Sequence, residues 1–245
     1  MDTTAVALFL LSTFVGGVTT GLAGFAFGLV VTGVWLHVMT PVESATLIIG
    51  YSVLSQAFGI WQLRHAFDWR AVAPYVVGVV FGAPLGTALL GHVSPVAMRT
   101  GIGVFLVFYS AYGFARPAFL PGRVGIPTEV GVGFLNGLIG GLTGLVGVPI
   151  ATWCQLRGYA KDMQRCIFQP VTFAAGAISL ASLAVAGAVT PRAVDLFLLG
   201  TPILLVGLWT GFKLYGRLDD VAFRTVILVL LLLSGFVLLA PLFGL

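Results

Sequence analysis

The stretch Gly137-Leu138-Ile139-Gly140-Gly141-Leu142-Thr143-Gly144-Leu145-Val146-Gly147-Val148-Pro149 decides how this chain folds. It sets five glycines and a proline inside Val130–Leu156, a run without Asp, Glu, Lys or Arg. About 20 apolar residues cross a bilayer as helix, and this run is longer than one crossing. Glycine costs a helix interior about 1 kcal/mol and proline about 3. The reading is a broken helix or hairpin at membrane depth, in preference to one continuous helix with a small-residue packing face.

The pattern occurs twice. Thr3–Val42 is a second long uncharged run, and it holds Gly16, Gly17, Gly21, Gly24 and Gly28. At an offset of 120, Gly17 falls on Gly137, Gly21 on Gly141, Leu22 on Leu142 and Gly24 on Gly144. At an offset of 125, Leu89 falls on Leu214, Gly91 on Gly216, Val96-Ala97 on Val221-Ala222 and Arg99-Thr100 on Arg224-Thr225. These matches predict two homologous halves, 1–124 and 125–245.

Outside the glycine runs lie further uncharged segments, most of single-span length: Ser44–Leu63, Ala71–Thr87 continuing to Met98, Thr100–Ala115, Cys166–Pro191, Leu196–Phe212 and Thr225–Leu245. The whole chain is 59% hydrophobic and 8% charged, with mean hydropathy +1.09. Soluble domains carry about 25% charged residues. That excludes an ordinary soluble enzyme, a nucleic-acid-binding domain and a disordered chain, and leaves an all-α polytopic membrane protein. The net charge of +4 is then read as cytoplasmic loop charge, not as a nucleic-acid footprint. Met1-Asp2-Thr3-Thr4 lacks the positive start of a signal peptide, so the first apolar run is expected to be retained.

The positions of the cations test the topology. If each glycine run crosses once, five of them (Arg64, Arg70, Arg116, Arg123, Arg192) face seven on the other side. If each goes in and comes back, one side collects Arg64, Arg70, Arg116, Arg123, Arg157, Lys161, Arg165, Lys213, Arg217 and Arg224, and only Arg99 and Arg192 oppose these ten. Positive residues concentrate on the cytoplasmic side. The second arrangement is favoured: two inverted repeats, each a hairpin plus three transmembrane helices, with both termini outside the cytoplasm. Such repeats are an architecture of secondary transporters.

The chain carries no HExxH, GxSxG or P-loop motif, so an enzyme has no residues to support it and no cofactor is expected. His37, His65 and His92 stand near segment ends and read as interfacial; Cys154 and Cys166 read as small apolar core residues. No carboxylate lies deep in a span, which argues against a cation carrier built on buried acids. Broken helices offer free N–H groups and a favourable dipole to anions instead. The candidate site lies where the two glycine elements meet: Thr19, Thr20, Gly21 and Gly24 from the first half, Asn136, Gly140, Gly141, Thr143 and Gly144 from the second. Gln56 adds a polar group on the following span, beside Ser52 and Ser55, and Arg165 and Gln169 share a helix face at i,i+4. For each residue, helix packing or membrane anchoring is the competing reading.

At these residues the chain resembles the sulfite exporter TauE/SafE family, also called the toluene-sulfonate uptake permease family. The resemblance rests on Gly21-Leu22-Ala23-Gly24, on Gly140 through Pro149, on Leu156-Arg157-Gly158-Tyr159, on Gln164 through Pro170, and on Arg99 and Arg224 opening the last span of each half. The first half has no counterpart of Pro149. The resemblance implies a multi-pass inner-membrane transporter of sulfur-containing anions such as sulfite, sulfoacetate or other organosulfonates. A channel-like anion pathway through the same elements is the alternative. The expected partners are the small anion and the lipid bilayer; a homodimer is compatible with the sequence.

Overall fold

A computed structural model describes residues 3–64, 68–89, 95–115, 124–143, 147–185, 187 and 189–240. Its helices are α1 (Thr3–Ala23), α2 (Phe27–Val38), α3 (Pro41–Gln62), α4 (Trp69–Leu89), α5 (Pro95–Ala115), α6 (Ile126–Thr143), α7 (Val148–Leu156), α8 (Lys161–Val185), α9 (Pro191–Tyr215) and α10 (Asp220–Leu239). Among the described residues there is no strand. Six helices (α1, α3, α4, α8, α9 and α10) are long and apolar enough to cross a membrane. The protein is an all-α polytopic membrane protein, as the composition requires.

Both glycine-rich runs break. α1 ends at Ala23, Gly24 takes φ +94°, and α2 starts at Phe27. In the second run α6 ends at Thr143, Gly147 takes φ +102°, and α7 starts at Val148 with Pro149 in its first turn. Positive φ is open to glycine at little cost. Proline in a first helical turn forfeits no hydrogen bond. The first break folds the chain back on itself: Phe9, early in α1, packs its ring 5.2 Å from that of Trp35, late in α2. Trp35 Nε1 donates to Ser12 Oγ at 2.9 Å across the hairpin.

Two helix pairs make the closest packing. α1 packs along α9 and α6 packs along α4. Glycines permit both contacts. A Cβ at Gly17 would stand 2.9 Å from the Leu204 carbonyl oxygen, and one at Gly207 would stand 2.6 Å from that of Phe14. At the other contact, a Cβ at Gly137 would stand 2.7 Å from the Ala83 nitrogen. Gly82 and Gly86 on α4 match Gly207 and Gly211 on α9 at the offset of 125.

The core divides accordingly. One apolar cluster joins α1, α2 and α3 to α9, and another joins α7 and α8 to α4. A third runs through α5, α7 and α10 and the end of α1. Equivalent helices also meet. α5 and α10 run antiparallel, because Gly103, early in α5, faces Gly235 late in α10, while Gly113 faces Leu228. α3 and α8 are antiparallel as well: Gly59 faces Gln169, and Val53 faces Gly176. The outside is apolar, with Phe81, Phe108 and Leu198 at 68, 72 and 63% exposure. Most of the buried polar groups lie inside, which is the arrangement hydrocarbon solvent imposes.

Candidate functional site

Arg165 occupies the second turn of α8 and is fully buried. Its Nη2 donates to the carbonyls of Gly21 and Leu22, the latter at 2.7 Å. These are carbonyls of the last turn of α1, which lack partners within the helix and carry the negative end of its dipole. The guanidinium lies 3.9 Å from the Tyr215 ring centre and 4.6 Å from that of Phe212. Cation–π attraction strengthens when desolvated. Nε and Nη1 have no hydrogen-bond partner among the described residues. No carboxylate of the described residues forms a salt bridge with Arg165.

Around this cation the structure gathers residues of both glycine elements. Gly24 at the α1–α2 turn lies against Phe168 and 3.7 Å, measured from a built Cβ, from Arg165 Nε. Gln56 Nε2 donates to the Gly24 carbonyl at 2.7 Å, which leaves Gln56 Oε1 unpartnered. Thr20 is buried one residue before the carbonyl that Arg165 holds, and its hydroxyl is unpartnered. Gln169 lies one turn beyond Arg165, with its amide flat against Gly59 and its Oε1 unpartnered. Across from them, Gly147 at the start of α7 lies against Thr172 and, at 3.5 Å from a built Cβ, against Phe25. The two turns therefore meet beside α8.

Other sequence candidates stand elsewhere. Thr19 donates to the Val15 carbonyl of its own helix at 2.8 Å, so its hydroxyl serves α1. Gly21 sits at the α1–α9 contact and contributes its carbonyl to Arg165. Asn136 is fully buried; its Oδ1 accepts from the Ile150 N–H at 3.4 Å and so joins α6 to the first turn of α7. Gly140 and Gly141 lie in the last turn of α6. Gly144, and the side chain of Thr143, lie outside the described residues, as do His65, His92 and the His37 side chain. Ser55 bonds to the Tyr51 carbonyl of its own helix. Cys154 and Cys166 are buried and form no disulfide.

Sequence reasoning did not reach the ring bed of Phe212, Tyr215 and Phe223, which face Arg165 from α9 and α10. It also did not reach Phe168 or Thr172. Apolar residues in apolar spans carry no local signal; only the packing of α8 against its neighbours singles them out. At the same end, Tyr215 donates its hydroxyl to Asp162, and Lys161 donates Nζ to the Leu218 carbonyl. The start of α8 is thereby clasped to the α9–α10 turn. Among the described residues no group of His, Cys, Asp and Glu could hold a metal ion.

Comparison with known proteins gives a family. The family model of the sulfite exporter TauE/SafE proteins matches residues 8–238. One curated relative is the probable sulfite/organosulfonate exporter TauE of Cupriavidus necator (strain H16), 27% identical over 135 residues. The match covers 53% of this chain and 52% of that protein, so the matched stretch spans about half the relative's length. No solved structure matches the chain.

Proposed function

From the premise that this chain belongs to the sulfite exporter TauE/SafE family, we propose a secondary transporter that carries sulfite, sulfoacetate or another organosulfonate out across the inner membrane. The observation that carries the reading is Arg165: a guanidinium buried among membrane helices, with no carboxylate in salt-bridge contact and two nitrogens unbonded among the described residues, while the nearby Asp162 carboxylate is engaged by the Tyr215 hydroxyl. A buried charge whose hydrogen bonds are incomplete is strongly unfavourable. Ionisable groups inside membrane bundles mark substrate pathways. A sulfur oxyanion supplies the missing charge and accepts from Nε and Nη1. Thr20 and Thr172, each buried with an unpartnered hydroxyl, supply further donors.

The proposed mechanism is alternating access between two inverted halves. Its support is the run of directions. Each half contributes five helices, and the equivalent pairs α3/α8 and α5/α10 are antiparallel. An odd number of reversals per half inverts the second relative to the first. It also puts nine of the ten cations at one side, Arg165 being buried, so that side is read as cytoplasmic with both termini opposite. Residues 1–124 and 125–245 are the repeats, although α4 and α9 are exchanged in packing. An inside-negative potential of 100 mV drives each negative charge outward by about 2.3 kcal/mol, so export needs no nucleotide.

The test is counterflow in proteoliposomes against sulfite, organosulfonates, thiosulfate and carboxylates. Saturable counterflow of a sulfur oxyanion is the expected result. Flux of a cation or neutral solute alone overturns the substrate class, and unsaturable flux favours a channel. Cysteine labelling that places residue 2 on the cytoplasmic side overturns the topology.

A further inference from the structure

Tyr215 ends α9 and is buried. Its ring centre lies 3.9 Å from the Arg165 guanidinium carbon and 4.9 Å from Lys161 Nζ. Its hydroxyl donates to Asp162 Oδ1, and Asp162 is exposed to water. One side chain therefore touches a buried cation with its ring and a solvated carboxylate with its hydroxyl. Lys161 extends the same seam: its Nζ donates to the Leu218 carbonyl, and its N–H donates to Oδ1 of exposed Asp220 at 2.8 Å. These contacts join the first two turns of α8 to the end of α9 and the α9–α10 turn. Elsewhere α8 packs chiefly along α3 and α4, and α9 along α1. The seam is thus where side chains tie α8 to α9.

We propose that Tyr215 is the gate residue of the Arg165 site: its ring covers the guanidinium, and its bond to Asp162 holds that cover shut against water. The gate rests on the transport reading above and names the residue that controls access to the same site. Tyr215 is a positioning residue and not a ligand of the anion. The chemistry suits a reversible closure. A bond to an ionised acceptor is stronger than a neutral one. At the water boundary, though, both groups regain solvent bonds when it breaks, so its net contribution stays small enough to reverse. The cation–π contact is strongest while dry, so it weakens as soon as water follows the departing ring. Opening is therefore cooperative: loss of the Asp162 bond admits water, and water loosens the hold of Arg165 on the ring.

Cys166 is the reporter. It follows Arg165, lies one turn beyond Asp162 on the same helix face, and is 4% exposed. With Cys154→Ala it is the single thiol of the chain. The measurement is its rate of modification by a charged maleimide, on the full chain in nanodiscs without substrate. Tyr215→Phe keeps the ring and removes the bond, and the rate should rise about tenfold or more. Asp162→Ala should match it, and supplies the same reading should Tyr215→Phe not fold. Asp162→Asn keeps an acceptor and should fall between Asp162→Ala and the wild type. Tyr215→Phe with Asp162→Ala should exceed neither single variant, since both remove one bond. In proteoliposome flux, Tyr215→Phe should lower kcat with no rise in KM, because closure and not binding is impaired. Unchanged labelling in the single variants, additive effects in the double variant, or a raised KM with kcat retained overturns the gate. Labelling is read without any anion, so its failure leaves sulfonate transport standing. A gated chain that carries no anion keeps the gate and overturns the transport reading.

Discussion

Glu43 and Arg165 are the charged side chains buried among the described residues, and the fold treats them oppositely. Glu43 is fully engaged. It accepts from the Thr40 backbone at 3.1 Å and from the Thr40 hydroxyl at 2.9 Å, closing a capping box at the start of α3, and Arg192 stands 3.7 Å away. Arg165 is held by α1 carbonyls and by ring faces, with Nε and Nη1 unpartnered. A charge whose bonds are complete at a helix end is structural. A charge whose bonds are incomplete in a dry interior is where we propose that the anion binds. That contrast separates scaffold from site better than burial, which the two share.

The contrast is open to direct attack. The largest effect expected is Arg165→Gln, which removes two charge-assisted bonds to the anion. At about 1.5–3 kcal/mol each, apparent affinity in a flux assay falls by roughly 10²–10⁴. The melting temperature should change little; a collapse of folding with no specific flux defect would make Arg165 a scaffold residue. Next is Thr20→Val, which keeps shape and removes one donor. We expect a threefold to tenfold rise in KM with kcat retained, and an unchanged KM would move the anion away from α1. The smallest is Glu43→Gln, which weakens the cap by about 1 kcal/mol. It should lower the melting temperature and leave flux alone, and a flux defect at normal stability would blur the two classes. Arg192, 52% exposed, should matter less still, because an exposed ion pair contributes about 0–1 kcal/mol.

Gln56, Gln169 and Arg165 were legible in the sequence as polar groups on helix faces within apolar spans, and the structure brings Gln56 and Arg165 to the α1–α2 turn and Gln169 against Gly59 of α3. Thr19 and Thr20 looked alike as neighbours in one helix. Only the packing of α1 distinguishes them, turning Thr20 inward and leaving Thr19 to bond its own backbone. The ring bed was not legible, since Phe212, Tyr215 and Phe223 lie about 50 residues from Arg165 in a chain rich in aromatics.

By itself, the sequence determined membrane residence and the two breaks, and it suggested the repetition of one plan that we propose. Each follows from local physics: too few charges for water, too many glycines for unbroken helices, and an offset visible in the letters. Tertiary structure alone decided that α1 packs along α9 and α6 along α4, and that Arg165 points into a dry bed and not toward water. The reason is physical. Lipid tails exert little preference among apolar helices, so partners are chosen by close backbone approach at matched glycines, a property of surfaces that no single segment contains.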